Sequence, residues 1–109
     1  MSQVTTHVLD LASGRPAAGM TVVLERVGAD GAPEPIATAR TDDNGRVAAL
    51  GPETLPVGTY RLRFDTGGHH GGNGFFPEVA IAFELADPEQ HYHVPLLLAP
   101  WSYTTYRGS

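Results

Sequence analysis

Hydrophobic residues recur at every second position along several short segments of this chain. In the segment YRLRF, Tyr60, Leu62 and Phe64 share one face, while Arg61 and Arg63 share the other. This period of two is that of a β-strand with one buried side. Glycine (13 residues) and proline (9 residues) interrupt the longer stretches, so the pattern does not predict long helices.

Eight segments fit this strand pattern, and turn residues separate them at intervals of roughly ten residues. They are residues 3–9, 21–27, 34–41, 46–50, 59–65, 78–85, 91–98 and 103–107. Short strands at this spacing predict an all-β protein folded as a two-sheet sandwich. Between the third and fourth segments, Asn44 and Gly45 predict a tight hairpin with two residues at positive φ.

The chain of 109 residues has the length of one domain, which we place at residues 1–109. Residues 67–74, with the sequence GGHHGGNG, are too rich in glycine to hold a helix without help from their surroundings. We therefore expect at most one short helix in the sandwich.

The seventh segment, HYHVPLLL, places polar side chains on the face opposite its apolar ones. His91, His93 and Pro95 share one face, and the other face consists of Tyr92, Val94, Leu96 and Leu98. Because proline has no N–H to donate to a strand ladder, Pro95 predicts an edge strand or an interrupted ladder with open backbone.

The two histidines of this segment fit three interpretations. They are a solvated pair, a general base that titrates near neutral pH, or half of a zinc site. A zinc site needs a third ligand, for which the sequence offers His7, His69 or His70. His69 and His70 lie in the glycine-rich segment, where we expect them to have no functional role.

Two other segments contain side chains that are suited to a site. Arg46 directly follows the turn at Asn44, where a guanidinium is either solvated or held ready for an anion or an oxyanion. His7 lies among short polar and β-branched residues, and the residues alone favour a surface or hydrogen-bonded histidine. The aromatic segment at residues 101–109 predicts a final strand and a subunit contact.

The charge and composition of the chain exclude several classes of partner. Lysine and arginine number 7 and aspartate and glutamate 12, which gives a net charge of −5, so nucleic acid and anionic membranes are not expected partners. The absence of cysteine excludes disulfides and thiolate metal sites. No apolar run approaches the roughly 18 residues that cross a bilayer, and we expect a cytoplasmic protein.

Three segments together resemble one known family. The sequences TTHVLDLASGRPAAGM, TDDNGRV and HYHVPLLLAPWSYTTYRGS are similar to those of the 5-hydroxyisourate hydrolases, the transthyretin-like enzymes of urate degradation. The terminal YRGS distinguishes that enzyme branch from transthyretin itself. There are two departures. Residues 69–74 replace the usual sequence around a short helix, which puts that helix in question, and Ala99 replaces a serine.

The resemblance implies a fold, an assembly and a set of site residues. The fold is an eight-stranded transthyretin-like sandwich that assembles into a homotetramer, a dimer of dimers with sites in the channel between dimers. The catalytic positions are His7, Arg46 and His93. The substrate-binding positions are Tyr106, Arg107, Gly108 and Ser109. Neither a cofactor nor a metal is implied.

The implied activity is hydrolysis of 5-hydroxyisourate to 2-oxo-4-hydroxy-4-carboxy-5-ureidoimidazoline. Here His93, with His7 as its partner, activates water and Arg46 binds the anion or oxyanion. The alternatives are a carrier that binds a small aromatic ligand in the channel and a zinc hydrolase that uses His91 and His93. A carrier gains nothing from burying these polar groups, and the zinc site lacks obvious further ligands.

Overall fold

The computed structural model describes residues 2–108, which form nine strands and one short helix. In chain order the elements are β1 (Val4–Asp10), β2 (Arg15–Pro16), β3 (Thr21–Val27), β4 (Pro33–Arg40), β5 (Arg46–Val47), β6 (Gly58–Phe64), α1 (Thr66–His70), β7 (Val79–Leu85), β8 (Tyr92–Ala99) and β9 (Ser102–Thr105). The all-β prediction and all eight predicted strands are confirmed. The two-residue strand β2 was not predicted.

The strands form two sheets that enclose the core. One sheet has the order β2-β1-β8-β9, with β5 also paired to β1, and the other has the order β4-β3-β6-β7. The pair β1–β8 is parallel, and the other pairs are antiparallel. Strand β1 therefore lies between β8 on one side and the short strands β2 and β5 on the other.

Alternating side chains from both sheets fill the core, as the sequence pattern predicts. Tyr60, Leu62 and Phe64 of β6 are fully buried. On the opposite face of this sheet, Arg61 and Arg63 pair with Glu25, which is only 3% exposed. Two guanidinium groups thus compensate the buried carboxylate, as burial of a charge requires.

The predicted tight hairpin at Asn44–Gly45 is wrong in its geometry and in its partners. Gly45 has a φ of 76°, but among the described residues no non-glycine residue has a positive φ. The Gly45 N–H donates to the Asp42 carbonyl and the Asp42 N–H to the Arg46 carbonyl, which fits a longer loop with one left-handed residue. Because β4 and β5 pair with different neighbours, this loop joins the two sheets.

Strand β8 is central in its sheet, so Pro95 does not mark an edge strand. The ladder of hydrogen bonds between β8 and the C-terminal segment is interrupted beside Pro95, which was the other possibility that the sequence predicted. Strand β9 pairs with β8 from Leu96 to Ala99, and the next bridge joins His93 to Gly108. The Thr105 hydroxyl donates to the Pro95 carbonyl at 2.7 Å, so this carbonyl is not left open.

The short helix α1 exists because its surroundings supply the help that its glycines need. The Asp65 carboxylate caps the helix by accepting the Gly68 N–H, and Gly71 ends it in the left-handed conformation. The Gly67 N–H donates to the Pro77 carbonyl, and a Cβ on Gly67 would lie 2.8 Å from that oxygen. None of the helices within residues 2–108 has the length and apolar character to cross a membrane.

Candidate active site

An open pocket lies on the outward face of β1, β5 and β8. We call it the His93 pocket; its volume is about 310 Å³ and it is lined by Thr5, Thr6, Arg46, Val47, Ala48, His91 and His93. The strand alternation that buries Val4 and Val8 turns Thr5 and His7 outward on β1. The same alternation on β8 turns the histidines outward.

Strand pairing brings the three predicted catalytic residues to one side of the sheet. In the parallel pair β1–β8, Thr5 lies opposite His93 and His7 opposite Pro95. In the antiparallel pair β1–β5, His7 lies opposite Arg46. Two imidazoles and a guanidinium, from three segments distant in sequence, therefore share one polar surface.

The His93 ring is held by groups on both of its sides. Its Nδ1 lies 2.8 Å from the Thr5 hydroxyl oxygen, and that same oxygen lies 2.8 Å from His91 Nε2. On the other side, the Gly108 N–H donates to the His93 carbonyl at 2.8 Å. A Cβ on Gly108 would lie 2.6 Å from His93 Cδ2, so only glycine fits against this ring.

Burial and nearby positive charge keep the His93 ring neutral. Partial burial lowers the pKa of His93, and the charges of Arg46, His7 and His91 lower it further. Its Nε2 has no hydrogen-bond partner among residues 2–108. A neutral imidazole with one free nitrogen beside a pocket has the properties of a general base.

The loop before β5 fixes His7 and positions Arg46. His7 Nε2 lies 2.9 Å from the Asn44 carbonyl oxygen. Since a carbonyl only accepts, Nε2 donates its proton there and Nδ1 is the nitrogen of a neutral ring that remains free. The Asp42 carboxylate accepts the N–H groups of Asn44 and Arg46, each at 2.9 Å, and these bonds lower the pKa of Asp42.

The Arg46 side chain makes no hydrogen bond or ion pair with any residue in the described range 2–108. Arg46 is exposed at the start of β5, and it lines the His93 pocket. An unpaired guanidinium beside a neutral imidazole offers positive charge and planar donors to an anionic ligand. This is the arrangement that an acyl hydrolysis without a metal requires.

The C-terminal residues divide between two surfaces. The bridge from His93 to Gly108 continues the register that pairs Leu96 with Thr105, so Tyr106 stands opposite Pro95 and Gly108 lies against the His93 ring. Arg107 faces the other way, with its guanidinium 4.7 Å from the centre of the Tyr92 ring and bonded to Gln90 Oε1. Ser109 lies outside the described residues.

Arg107 belongs to a second pocket, which we call the Arg107 cleft. Its volume is about 300 Å³, and its lining includes Ile81, Phe83, Tyr92, His93, Tyr106 and Arg107. His93 lines both pockets. Within one chain, therefore, the structure places His7, Arg46, His93 and Gly108 together, whereas the Arg107 guanidinium contacts Tyr92 and Gln90 in the cleft that His93 also lines.

Two residues at the site escaped the sequence analysis. Thr5 contacts both outward histidines, and Asp42 holds the loop from which Arg46 follows. Asp42 has a recognisable signal, because an aspartate that starts a turn accepts backbone N–H groups. Thr5 has only its outward position two residues before His7, which does not reveal that β8 is its neighbour.

The described residues do not offer a ready metal site. Among residues 2–108, no three histidine or carboxylate side chains are grouped as metal ligands would be. His69 donates to Asp10, which lies five residues along β1 from Thr5, or about 16 Å at the rise of a strand. The glycine-rich segment therefore does not supply the third zinc ligand for His91 and His93.

Comparisons with known proteins identify the family of this chain. The profile of the HIUase/Transthyretin family matches residues 4–108. A 5-hydroxyisourate hydrolase of Caulobacter vibrioides is 45% identical over 117 aligned residues that cover all of both chains.

Two solved structures share the fold. The 5-hydroxyisourate hydrolase of Klebsiella pneumoniae superposes with a TM-score of 0.85 at 38% identity, covering 97% of this chain and 98% of that one. Sea bream transthyretin in complex with thyroxine superposes with a TM-score of 0.88 at 35% identity, covering 97% of this chain and 94% of that one. The chain belongs to the HIUase/Transthyretin family.

Proposed function

We propose that this protein is a 5-hydroxyisourate hydrolase. It opens the six-membered ring of 5-hydroxyisourate to give 2-oxo-4-hydroxy-4-carboxy-5-ureidoimidazoline. The observation that supports this most directly is the convergence of His7, Arg46 and His93 on one face, from three separate strands. The similarity to the hydrolases of Caulobacter and Klebsiella over essentially the whole chain supports it independently.

The proposed reaction consumes one water molecule at an acyl carbon-to-nitrogen bond. His93 Nε2 takes a proton from water while the water oxygen attacks the acyl carbon. Arg46 stabilises the negative charge of the resulting tetrahedral intermediate. The carbon-to-nitrogen bond then breaks, and the departing nitrogen receives the proton through His93 or His7, so the product differs from the substrate by one water.

The electrostatics of the site support these roles. Burial and the neighbouring positive charges lower the pKa of His93, so the ring is a free base at neutral pH. The Arg46 side chain makes no hydrogen bond or ion pair among residues 2–108, although its charge acts on Asp42, and its donors remain available for the substrate. No step of this mechanism passes through a metal or a cofactor.

We propose that a complete site needs a second subunit. Arg107 of one chain points away from its own His93 pocket, while Tyr106 and Trp101 expose 56% and 71% of their surface. A homotetramer, a dimer of dimers with the sites in the channel between dimers, would bring the C-terminal residues Tyr106, Arg107, Gly108 and Ser109 of neighbouring chains to the substrate.

The single domain of residues 1–109 and the cytoplasmic location stay predictions.

A carrier function is the second candidate, because the structure of transthyretin with thyroxine superposes as closely as the hydrolase does. The fold does not separate the two functions. The polar site does, since an apolar ligand would have to desolvate Arg46 and His93 without satisfying them. The hydrolase is therefore the function that the site supports best.

One assay tests the proposal directly. Fresh 5-hydroxyisourate is generated from urate, and its ultraviolet decay is followed with and without the protein, before and after exhaustive chelation. We expect the protein to accelerate the decay equally in both cases. Decay at the spontaneous rate would contradict the proposed function, and activity that vanishes with the chelator and returns with zinc would replace the mechanism by a metal-dependent one.

Removal of the C-terminus tests the shared site. Deletion of residues 107–109 leaves the core strands intact, so we expect turnover to fall far more than the melting temperature. Turnover, melting temperature and solution mass are measured on the same preparation. A truncated tetramer with full activity would contradict the placement of the substrate at these residues.

A further inference from the structure

One hydroxyl group joins His93 of β8 to His91, which directly precedes that strand. The Thr5 oxygen lies 2.8 Å from His93 Nδ1 and 2.8 Å from His91 Nε2. Thr5 lies on β1, and the parallel pairing of β1 with β8 places it directly opposite His93. His91 is exposed and makes this contact at the rim of the His93 pocket.

A hydroxyl has one proton, and this limits what the two rings can do. It can donate to only one ring, because two ring nitrogens cannot both receive the same proton, while its two lone pairs can accept from the other ring or from both. If both rings donate to it, His93 has its proton on Nδ1. If it donates to one of the rings, two arrangements are possible. In one arrangement His93 Nδ1 has a proton and donates it to Thr5, which donates to His91 Nε2. In the other arrangement the direction is reversed, and His91 donates towards His93.

These two arrangements have opposite consequences for catalysis. When His93 donates from Nδ1, its Nε2 holds a lone pair and can accept a proton from water. When Thr5 donates to His93 Nδ1, the proton of the neutral ring is on Nε2, and the ring cannot act as a base there. Only the first arrangement also suits the imidazolium form, in which both ring nitrogens donate.

We propose that Thr5 is a positioning residue that holds His93 in the Nδ1–H tautomer by accepting from Nδ1 and donating to His91 Nε2. His91 thereby acts on the tautomer of His93 through Thr5, in addition to the direct effect of its charge on the pKa of His93. The relevance of this tautomer to catalysis rests on the proposed function, whereas the tautomer itself is a property of the resting protein. Arg46 and His7, the other titratable groups on this face, favour a neutral His93 and leave its tautomer to Thr5.

Ring nitrogen NMR shifts test the tautomer without any substrate. Protein labelled with ¹⁵N at histidine is compared with His93→Asn, whose missing signals identify His93. We expect a protonated Nδ1 and an unprotonated Nε2 in the parent protein and a mixture of both tautomers in Thr5→Val. His91→Leu frees the Thr5 proton for His93, so we expect it to move the population towards Nε2–H.

Steady-state kinetics test the consequence for turnover. We expect Thr5→Val to lower kcat roughly tenfold or more with little change in KM, because a misoriented base impairs chemistry more than binding. Thr5→Ser retains the hydroxyl and is expected to restore most of kcat. The double variant Thr5→Val/His91→Leu should match Thr5→Val within about twofold, since both changes break one connection.

A matched control separates these effects from the loss of any strand threonine. Thr59 of β6 donates to Glu84 of β7, and both strands belong to the sheet that does not contain His93. Thr59→Val should leave both kcat and the His93 signals unchanged. An unchanged tautomer in Thr5→Val, or full kcat in that variant, would overturn the proposal. A parent protein with the Nδ1–H tautomer but no hydrolysis would instead overturn the proposed function, and active protein with the Nε2–H tautomer would overturn the role of Thr5 alone.

Discussion

The chain contains two pairs of neighbouring histidines, and their surroundings differ. His91, directly before β8, and His93 on β8 share the Thr5 hydroxyl, and both line a pocket with Arg46. His69 and His70 lie on helix α1 with their rings 5.2 Å apart. There His69 Nε2 bonds the Asp10 carboxylate at 2.8 Å.

The comparison shows how the partner of an imidazole decides its role. The contact between His69 and the Asp10 carboxylate joins α1 to the end of β1, which is a structural role. A hydroxyl and a nearby guanidinium favour the neutral ring, which suits a base. The His70 Nε2 atom is buried without a hydrogen-bond partner among the described residues, and the ring packs against that of His69.

The largest expected difference between the pairs is in turnover. His93→Asn and His7→Asn should each lower kcat by about a hundredfold or more, the usual scale for a positioned acid or base. His69→Asn and His70→Asn should retain most of kcat per folded molecule. Turnover is measured alongside circular dichroism on all four variants. Equal losses in all four would show that the site is not at His93.

The next effect concerns Arg46, which lines the His93 pocket together with His91 and His93. We expect Arg46→Lys to lower kcat/KM roughly tenfold or more, because an ammonium lacks the planar fork that adjacent acceptors of the substrate engage. Arg40, exposed on β4 of the other sheet, provides the control Arg40→Lys. Near-complete retention of activity in Arg46→Lys would mean that only the charge matters there.

The pH dependence of catalysis sharpens the contrast further. Because burial first and then Arg46, His7 and His91 lower the pKa of His93, the acid limb of kcat/KM should lie below the ordinary histidine value of 6.5. Removal of the positive charge in Arg46→Met favours the imidazolium, so the limb should move to higher pH. A limb at the same pH in both proteins would contradict the assignment of the base to His93.

The smallest expected effect is that of the His69–Asp10 pair on the stability of the protein. Burial acts to raise the pKa of Asp10, but the bonds from His69, Ser13 and Ala12 outweigh it, so the pKa lies below 3.8. Asp10→Asn should lower the free energy of unfolding by about 1 kcal/mol at neutral pH. A carboxyl group whose pKa is lowered by folding stabilises the protein above pH 3.8, and this stabilisation is lost as the pH falls through the pKa of the folded state. The stability difference between Asp10→Asn and the parent protein should therefore shrink in acid.

Urea unfolding of the parent protein and of Asp10→Asn, at neutral pH and at about pH 3, measures how their stability difference changes with pH. His69→Asn is the matched variant, because it removes the other partner of the same pair. A stability difference for Asp10→Asn that is independent of pH would show that the carboxylate charge contributes nothing to this contact.

The sequence by itself determined where strands form and which side chains they turn outward. The alternation in β6 and β8 predicts the buried rows correctly, because period two is a property that each segment has alone. It also identifies His93 as an outward polar residue, whereas Arg46 is singled out by the turn that precedes it. The glycine-rich segment shows the limit of local reasoning, since α1 depends on the Asp65 cap and on Pro77.

Only the tertiary structure decided which strands are neighbours. The pairing of β1 with β8 and β5 brings Thr5 to His93 and His7 to Arg46, and it makes the proline strand central. The register of the C-terminus against β8 turns Arg107 to the opposite face from His93. Neighbours and register depend on burying the apolar faces of all strands at once, a condition that no single segment contains.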